Sequence, residues 1–505
     1  MRCCPDISHF EIVGRRAMAM TSKPDTGDSR RRAGPAVPLC VDLDGTLLKT
    51  DTLLEGILQL LHSNLLRGLS LLGWLLRGRA VLKAEVARHV DLDVAQLPVH
   101  EDFLRWLAQE KQQGRKIVLC TAAAESHARA IAARFGLFDA VLSSDATHNL
   151  SGRTKAARLV AEFGAGNFDY AGNAARDLSV WRAAHAAIVV SPTLPLAIQS
   201  RRIPRVERIF ARPAGRARAW LRAARVHQWA KNVLVFVPAV AAHMIGEPRI
   251  LAQSCVAFLA FCLAASGTYI INDLLDLSAD RSHPAKRLRP FASGDLGAGE
   301  GSGAAAGLLG LSLAIGYVWL SGAFLVVLCG YIVGTTWYSL WLKRRPGDDI
   351  FCLAALYAGR ILGGSAATGI EPSFWLLAFA MFLFLSLAAA KRATELAGLE
   401  SRREQQAPGR GYTVSDLPLL LAFGVASAYT SVLVLALYVF SRAEVLYSRP
   451  KVLWLLCPLL LYWVSRVWLK THRRQLHEDP LVFALTDRPS QLVGLVCIAL
   501  VWLAD

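Results

Sequence analysis

The sequence predicts a soluble α/β domain with a parallel sheet, followed by an all-α polytopic membrane bundle of about nine transmembrane helices. Three observations lead there. First, 54% of the 505 residues are apolar and only 19% are charged, more apolar weight than a soluble chain of this length needs. Second, the apolar residues form short runs separated by helical patterns up to about residue 195, and long runs from Val233 onward. Third, 56 Lys and Arg against 39 Asp and Glu give a net charge of +17. In a chain with membrane spans, that excess belongs to cytoplasmic loops against anionic lipid rather than to nucleic-acid binding.

Residues 1–36 are polar, rich in Arg, Pro, Gly and Ser, and read as a disordered N-terminus in which Met18 or Met20 is an equally good start. Residues 37–195 carry strand-like runs at Val37 to Val41, Lys116 to Cys120, Phe168 to Gly172 and Ala187 to Val190, with a helical pattern at Ser126 to Phe135. The stretch Ile57 to Leu76 is almost as apolar as a span, with Arg67 in its middle. It reads as part of a helical cap, about 52–110, that touches the membrane surface. Residues 196–231 form a basic linker: from Arg201 to Lys231 there are ten basic side chains against Glu207 alone, with Trp220 and Trp229 interleaved. That pattern predicts a helix lying on an anionic membrane surface.

Residues 232–505 then carry nine apolar segments, roughly 233–246, 252–271, 303–320, 323–341, 350–369, 374–390, 417–440, 452–469 and 490–503. Most reach the roughly 17–25 residues that cross hydrocarbon. Placing the α/β domain in the cytoplasm leaves sixteen Lys and Arg in the cytoplasmic loops and four in the opposite ones. The asymmetry predicts a multi-pass inner (plasma) membrane protein with its α/β domain and its Asp-rich loop cytoplasmic. Ten cysteines without a CxxC or Cys/His array suggest neither a metal site nor a disulfide framework, and fit a reducing compartment.

Chemistry enters at Val41-Asp42-Leu43-Asp44-Gly45-Thr46, directly after an apolar strand. Two carboxylates two residues apart at a strand end suit Mg²⁺-assisted phosphoryl transfer. One attacks phosphorus, and the other handles the leaving-group proton. Thr121 ends a later strand with a hydroxyl for a phosphoryl oxygen, and Lys155 can neutralise both carboxylate and phosphate. Tyr170-Ala171-Gly172-Asn173-Ala174-Ala175-Arg176-Asp177 then offers Asp177 as a Mg²⁺ ligand. In these motifs residues 37–195 resemble the haloacid-dehalogenase-type phosphatases, whose fold is a Rossmann-like parallel sheet with a helical cap. The resemblance implies Asp42 as nucleophile, Asp44 as acid/base, Thr121 and Lys155 as phosphate ligands, and Asp42, Asp44 and Asp177 around the metal. Asn173 stands where that family usually has a second acid, so one negative charge is lost.

A second site is announced by Asn272-Asp273-Leu274-Leu275-Asp276, Asp280 and the basic tail Lys286, Arg287 and Arg289. Asp273, Asp276 and Asp280 recur at three and four residues, which would put them on one helical face, and hard oxygen ligands in that spacing suit Mg²⁺ holding a diphosphate. This run resembles the UbiA superfamily of intramembrane prenyltransferases. Three further features support the likeness: Arg225 to Asn232, which includes Lys231; Tyr338 to Lys343; and Asp349, Tyr357 and Arg360. Arg360 lies inside a span, where a guanidinium marks a substrate or ion site by default. Members that move a prenyl group usually carry a second Asp-rich loop, but here that place holds Lys391-Arg392-Ala393-Thr394-Glu395, followed by Arg410-Gly411-Tyr412.

The substitution of bases for acids is more similar to the decaprenyl-phosphate phosphoribosyltransferase branch, as are Glu478-Asp479-Pro480 and Asp487-Arg488. The resemblance implies a Mg²⁺-dependent transferase that joins phosphoribosyl diphosphate to a polyprenyl phosphate lipid. The fused phosphatase would then act on the product. An alternative keeps the superfamily's chemistry but moves an isoprenyl group from a polyprenyl diphosphate to an aromatic, 4-hydroxybenzoate-like, or other acceptor. A third reading is a membrane-anchored scaffold with both sites degenerate. Lipid chain length and oligomeric state are not encoded in any of these motifs.

Overall fold

A computed structural model of the chain describes residues 37–63, 67–144, 149–193, 196, 199, 203, 205–212, 215–401, 410–476 and 480–504. The expected disordered segment 1–36 lies outside the described residues, as do Arg201, Arg202, Arg402, Arg403, Glu478 and Asp479.

The α/β domain opens with β1 (Leu39–Val41), fully buried at the centre of the sheet. An insertion follows, made of α1 (Thr52–Ser63), α2 (Gly68–Leu76) and α3 (Arg79–His89). α4 (Glu101–Gln112) returns to the sheet and packs on it through Phe103, Trp106 and Leu107, so the helices standing over the site are the first three. Then come β2 (Ile117–Ala124), α5 (Glu125–Phe135), β3 (Ala140–Ser144), α6 (Arg153–Phe163), β4 (Asp169–Gly172), α7 (Leu178–Trp181), β5 (Ala187–Val190) and β6 (Val206–Phe210). α5 stops where Gly136 takes the left-handed conformation with φ 62°, which glycine adopts without strain.

All six strands are parallel, in the order β3-β2-β1-β4-β5-β6. Strand order therefore reverses at β1, and ligands of such sheets bind in the crevice outside the carboxyl ends at that point. The described residues of the apolar stretch 57–76 belong to two helices of the insertion, α1 and α2. α2 buries none of its side chains and turns Leu69, Leu72 and Leu76 outward.

The segment 196–231 differs from the single surface helix expected. Val206, Ile209 and Phe210 extend the sheet as β6, because Phe210 finds Phe103 and Trp106 to pack against. Arg216–Ala223 is a continuous α-helix (α8), and its Ala219 and Ala223 are buried against Ile270, Leu274 and Phe291.

The bundle follows. A 3₁₀ helix, Val226–Phe236, leads into α9 (Val237–Ala241), α10 (Pro248–Leu275), α11 (Leu277–Ser282), α12 (Ala298–Trp319), α13 (Gly322–Leu340), α14 (Asp348–Thr368), α15 (Phe374–Ser401), α16 (Leu417–Leu446), α17 (Leu456–His472), α18 (Pro480–Thr486) and α19 (Arg488–Ala504). Among the described residues, seven helices are long and apolar enough to cross a membrane: α10 and α12 to α17. The first and last expected segments are shorter but run the same course. Residues 226–241 start beside Asp273, where Arg225 is bound, and end against Gly364 near the far end of α14. α19 starts at Asp487, paired with Arg466 and Lys470, and ends where the Ala504 carbonyl accepts the Arg449 N–H at 2.9 Å.

The ends of α10, α13, α15 and α17 that carry the basic loops gather on one side, where the α/β domain docks; Glu55 of α1 and Arg281 of α11 join the two.

Gly364 sets how closely the 3₁₀ segment approaches α14. A Cβ there would lie 2.0 Å from the Val235 carbonyl oxygen and 3.2 Å from Pro238. Gly364→Ala should therefore destabilise the bundle by roughly 1–3 kcal/mol through overpacking. Gly359→Ala, on the same helix with nothing within 4 Å, should be silent, and thermal unfolding of the purified protein in detergent compares the two.

Candidate active sites

The α/β site is built at the carboxyl ends of β1, β2 and β4. Asp42 continues β1, with its N–H donating to the Ala171 carbonyl at 2.9 Å. Gly45 turns the chain away at φ 76°, and any side chain there would strike Asn173. The turn points Asp44 back at α1, where the Thr52 N–H donates to its Oδ1 at 2.9 Å. Lys155 on α6 donates to Asp42 Oδ1 at 2.7 Å and to the Tyr170 hydroxyl at 2.9 Å. Tyr170 in turn donates to Asp177 Oδ1 at 3.1 Å, and the Asn173 and Ala174 N–H groups hold Asp177 Oδ2. Asp42, Asp44, Lys155 and Asp177 line one cleft of about 310 Å³. Thr121 lies fully buried at the edge of this group, where its hydroxyl accepts the Ala123 N–H at 3.0 Å.

Electrostatics separate the two β1-loop carboxylates. Burial, then the charges of Asp51 and Asp42, push Asp44 up to about 7, so near neutrality it can carry the proton a leaving group needs. Burial would lower the Lys155 ammonium, but the Asp42 carboxylate outweighs it and holds it charged. Lys83 of α3 also faces the cleft, bound to the Ala122 carbonyl at 2.6 Å and to Asn149 at 2.9 Å. Arg79 of the same helix and Arg176 line it too. Sequence spacing gave no sign of Lys83, because it meets the site only through folding of the insertion. The donor set fits a hard cation: Asp42 and Asp177 are carboxylates, and Asn173 Oδ1 is a buried carbonyl oxygen with no hydrogen-bond partner.

In the bundle the three aspartates do not share one helical stripe. α10 ends at Leu275, Asp276 sits at the break, and α11 restarts at Leu277. The break turns Asp273 and Asp280 toward a common base, Arg289, at 3.1 and 2.7 Å, while Arg225 holds Asp273 from the other side. Asp276 is held by a different base, Lys343, at 2.8 Å. Among the described residues no three acidic, His or Cys side chains converge on one metal position. Each of these carboxylates is instead held by a base. Their chemistry remains that of a hard-cation site, three carboxylates with the Asn272 amide beside them. Burial pushes Asp280 up against the pull of Arg289.

Next to the acids lies a cleft of about 200 Å³. Its lining contains six bases (Arg225, Lys231, Arg360, Lys391, Arg392 and Arg410) together with Asn272, Tyr338 and Tyr357, and no carboxylate among the described residues. Arg360, expected to mark a site inside a span, donates to Asn232 at 2.8 Å and to the Tyr331 hydroxyl at 3.1 Å, and its guanidinium lies over the Tyr357 ring.

Arg392 is committed to its neighbours. It is bound to Asp349, to Glu395 at 2.8 Å and to the Tyr338 hydroxyl, with Tyr412 closing on Asp349. This network fixes the ends of α13, α14 and α15 around the cleft. Arg410 pairs with Glu395 at 3.2 Å, yet its Nη1 is buried without a partner. Lys286 and Arg287 lie on the loop after α11 and, unlike Arg289, make no contact with the aspartates at ion-pair distance. Asp487 is tied to Arg466 and Lys470 at the end of α17, apart from both clefts.

A parallel-sheet domain with a carboxylate pair at its topological switch point, docked on the basic mouth of a helical bundle, defines a multi-pass membrane protein of transferase type with a fused hydrolase-type domain. The chain belongs to the UbiA prenyltransferase family, which it matches over residues 233–486, and residues 39–187 match the haloacid dehalogenase-like hydrolases. It is 36% identical to the uncharacterized protein y4nM of Sinorhizobium fredii over 464 residues, 91% of this chain and 89% of that one. It is 35% identical to the decaprenyl-phosphate phosphoribosyltransferase of Mycolicibacterium smegmatis over 231 residues, 44% of this chain and 70% of that one. Among solved structures, a UbiA homologue from Archaeoglobus fulgidus bound to DMAPP and Mg²⁺ aligns with a TM-score of 0.43 at 18% identity, over 56% of this chain and 98% of that one.

The buried Asp42–Lys155 pair, 5% and 3% exposed, makes a stability test possible. Lys155→Met strands Asp42 and should cost about 3–5 kcal/mol. Adding Asp42→Asn should restore most of the loss, as read from the thermal midpoints of the single and double variants.

Proposed function

We propose that the chain transfers a 5-phosphoribosyl group from phosphoribosyl diphosphate to a polyprenyl phosphate, and that the α/β domain then removes the 5-phosphate from the lipid product. The observation that carries this reading is the charge of the bundle's cleft, six bases and no acid among the described residues, directly beside Asp273, Asp276 and Asp280. A donor with a diphosphate at one end and a phosphate at the other, meeting a phosphate-bearing lipid, needs more positive charge than a prenyl donor meeting an aromatic ring. The name of the Mycolicibacterium relative supports the same substrates.

In this reading Asp273, Asp276 and Asp280, with Asn272, would hold Mg²⁺, and the ion would supply countercharge to a departing diphosphate. Arg225, Arg289 and Lys343, which pair with these carboxylates, would also be within reach of phosphate oxygens there. Lys231, Lys391 and Arg410 hold the lipid phosphate or the 5-phosphate, while Arg360 and Tyr357 orient the acceptor oxygen toward the anomeric carbon. Arg392, Asp349, Glu395 and Tyr338 keep that geometry fixed, and Lys286 and Arg287 lie at the rim.

In the α/β domain Asp42 attacks phosphorus, Asp44 protonates the leaving sugar oxygen and later takes a proton from water, and Thr121 and Lys155 bind the phosphate. Asp42, Asp44 and Asp177 would hold the Mg²⁺ there. Sixteen basic residues in one set of loops against four in the other support a plasma-membrane location with this domain cytoplasmic, and the outward leucines of α2 suit contact with the bilayer surface.

Membranes supplied with labelled phosphoribosyl diphosphate should label a polyprenyl lipid, and labelled isoprenyl diphosphate should not. The reverse result favours prenyl transfer to another acceptor and removes this reading. Asp273→Ala and Asp276→Ala should each lower transfer at least ~100-fold, as should chelation of divalent metal. Asp42→Asn should leave transfer intact and make a phosphorylated lipid accumulate, visible by mass spectrometry of the extracted product.

A further inference from the structure

The α/β domain is docked on the bundle at the corner where the aspartates lie. α1 does the docking. Its Leu54 and Leu58 pack with Ile270, Leu274 and Leu277. Its Glu55 takes both Nη groups of Arg281, at 2.6 and 3.0 Å, in a pair whose side chains are 5% and 7% exposed. Gly294 brings the loop before α12 so close that a Cβ there would lie 2.8 Å from Lys49. Ser282 reaches Gln96 at 2.9 Å. A buried two-point ion pair with an apolar seam beside it is a fixed joint.

At the other end of α1 stands His62. Its Nε2 lies 2.6 Å from Arg344 Nη2. A guanidinium has only donors, so Nε2 is the acceptor and the ring proton sits on Nδ1. That Nδ1 is buried without a hydrogen-bond partner and lies 3.7 Å from Asp276 Oδ1, a carboxylate already held by Lys343 at 2.8 and 2.9 Å. An N–H cannot ligate a metal. It can donate to an anion, and the anion this corner is built to receive carries phosphate oxygens. We propose that His62, a residue of the phosphatase-like domain, is a substrate-binding residue of the transferase site that donates its Nδ1–H to an oxygen of the donor's diphosphate. Docking of the α/β domain thereby completes the site. The inference rests on the reading that Asp276 and its neighbours hold that diphosphate.

The test uses the full-length protein in membranes, with inorganic pyrophosphate as inhibitor and Mg²⁺ titrated separately. His62→Ala should raise KM for the diphosphate donor and Ki for pyrophosphate about tenfold, the effect of one lost hydrogen bond to a charged group. The Mg²⁺ concentration for half-maximal rate should not move, and His62→Gln, which keeps a donor, should recover most of the affinity. Arg281→Glu should raise the same KM by opening the joint, and Glu55→Arg in that background should restore it. Unchanged KM and Ki in His62→Ala, with Asp276→Ala inactive, overturns the inference and leaves the transferase reading standing. A shifted Mg²⁺ requirement without a shifted Ki overturns it as well, because His62 would then act only on Asp276. Full transfer by Asp276→Ala overturns the reading and the inference together.

Discussion

Carboxylates at the end of an apolar bundle require positive charge, and the mouth of this molecule is organised around that requirement. Arg225 comes from the turn before the 3₁₀ helix, Arg289 from the loop after α11 and Lys343 from the end of α13, and each closes on Asp273, Asp276 or Asp280. Three separate stretches of chain are thus drawn to one corner. The 3₁₀ form of residues 226–236 follows from the same requirement: the chain has to begin beside Asp273 and still reach Gly364 within a short segment, and the 3₁₀ helix rises about 2.0 Å per residue against 1.5 Å for the α-helix.

The α/β domain solves a related problem in the opposite way. Its acids, Asp42 and Asp177, share Lys155 and Tyr170 inside the protein, so the charge is neutralised locally and Asp42 is held in place. In the bundle the countercharge is distributed over long side chains from three stretches of chain. The first arrangement suits a covalent step at a fixed carboxylate, and the second suits a site that must admit and release a large anion.

Much of this was legible in the sequence because it depends on local order. Asp42-Leu43-Asp44-Gly45, Lys155 and Asp177 follow strand ends, and four of the six strands are apolar runs bounded by turn residues. β3 and β6 were not seen. Ala140–Ser144 is half exposed, and Val206–Phe210 lies in a basic stretch whose charge masks its alternation. The one-face reading of Asp273, Asp276 and Asp280 rests on an unbroken helix, whereas the chain breaks at Asp276, whose φ of −92° and ψ of 9° leave the helical range. Lys83 and His62 have no motif at all. Lys83 reaches the α/β cleft and His62 comes to stand beside Asp276 because the insertion between β1 and β2 folds over the one and onto the bundle, a consequence of tertiary contact rather than of spacing.

α1 has one further consequence. It is inserted near the start of the first domain, yet Leu54 and Leu58 are covered by Ile270 and Leu274 of the second, so the true boundary between the halves is a shared oily seam and not the basic stretch that precedes the bundle. Severing the chain in that stretch would yield two fragments with matching sticky patches. A swap of either half would have to carry a compatible surface for α1 with it.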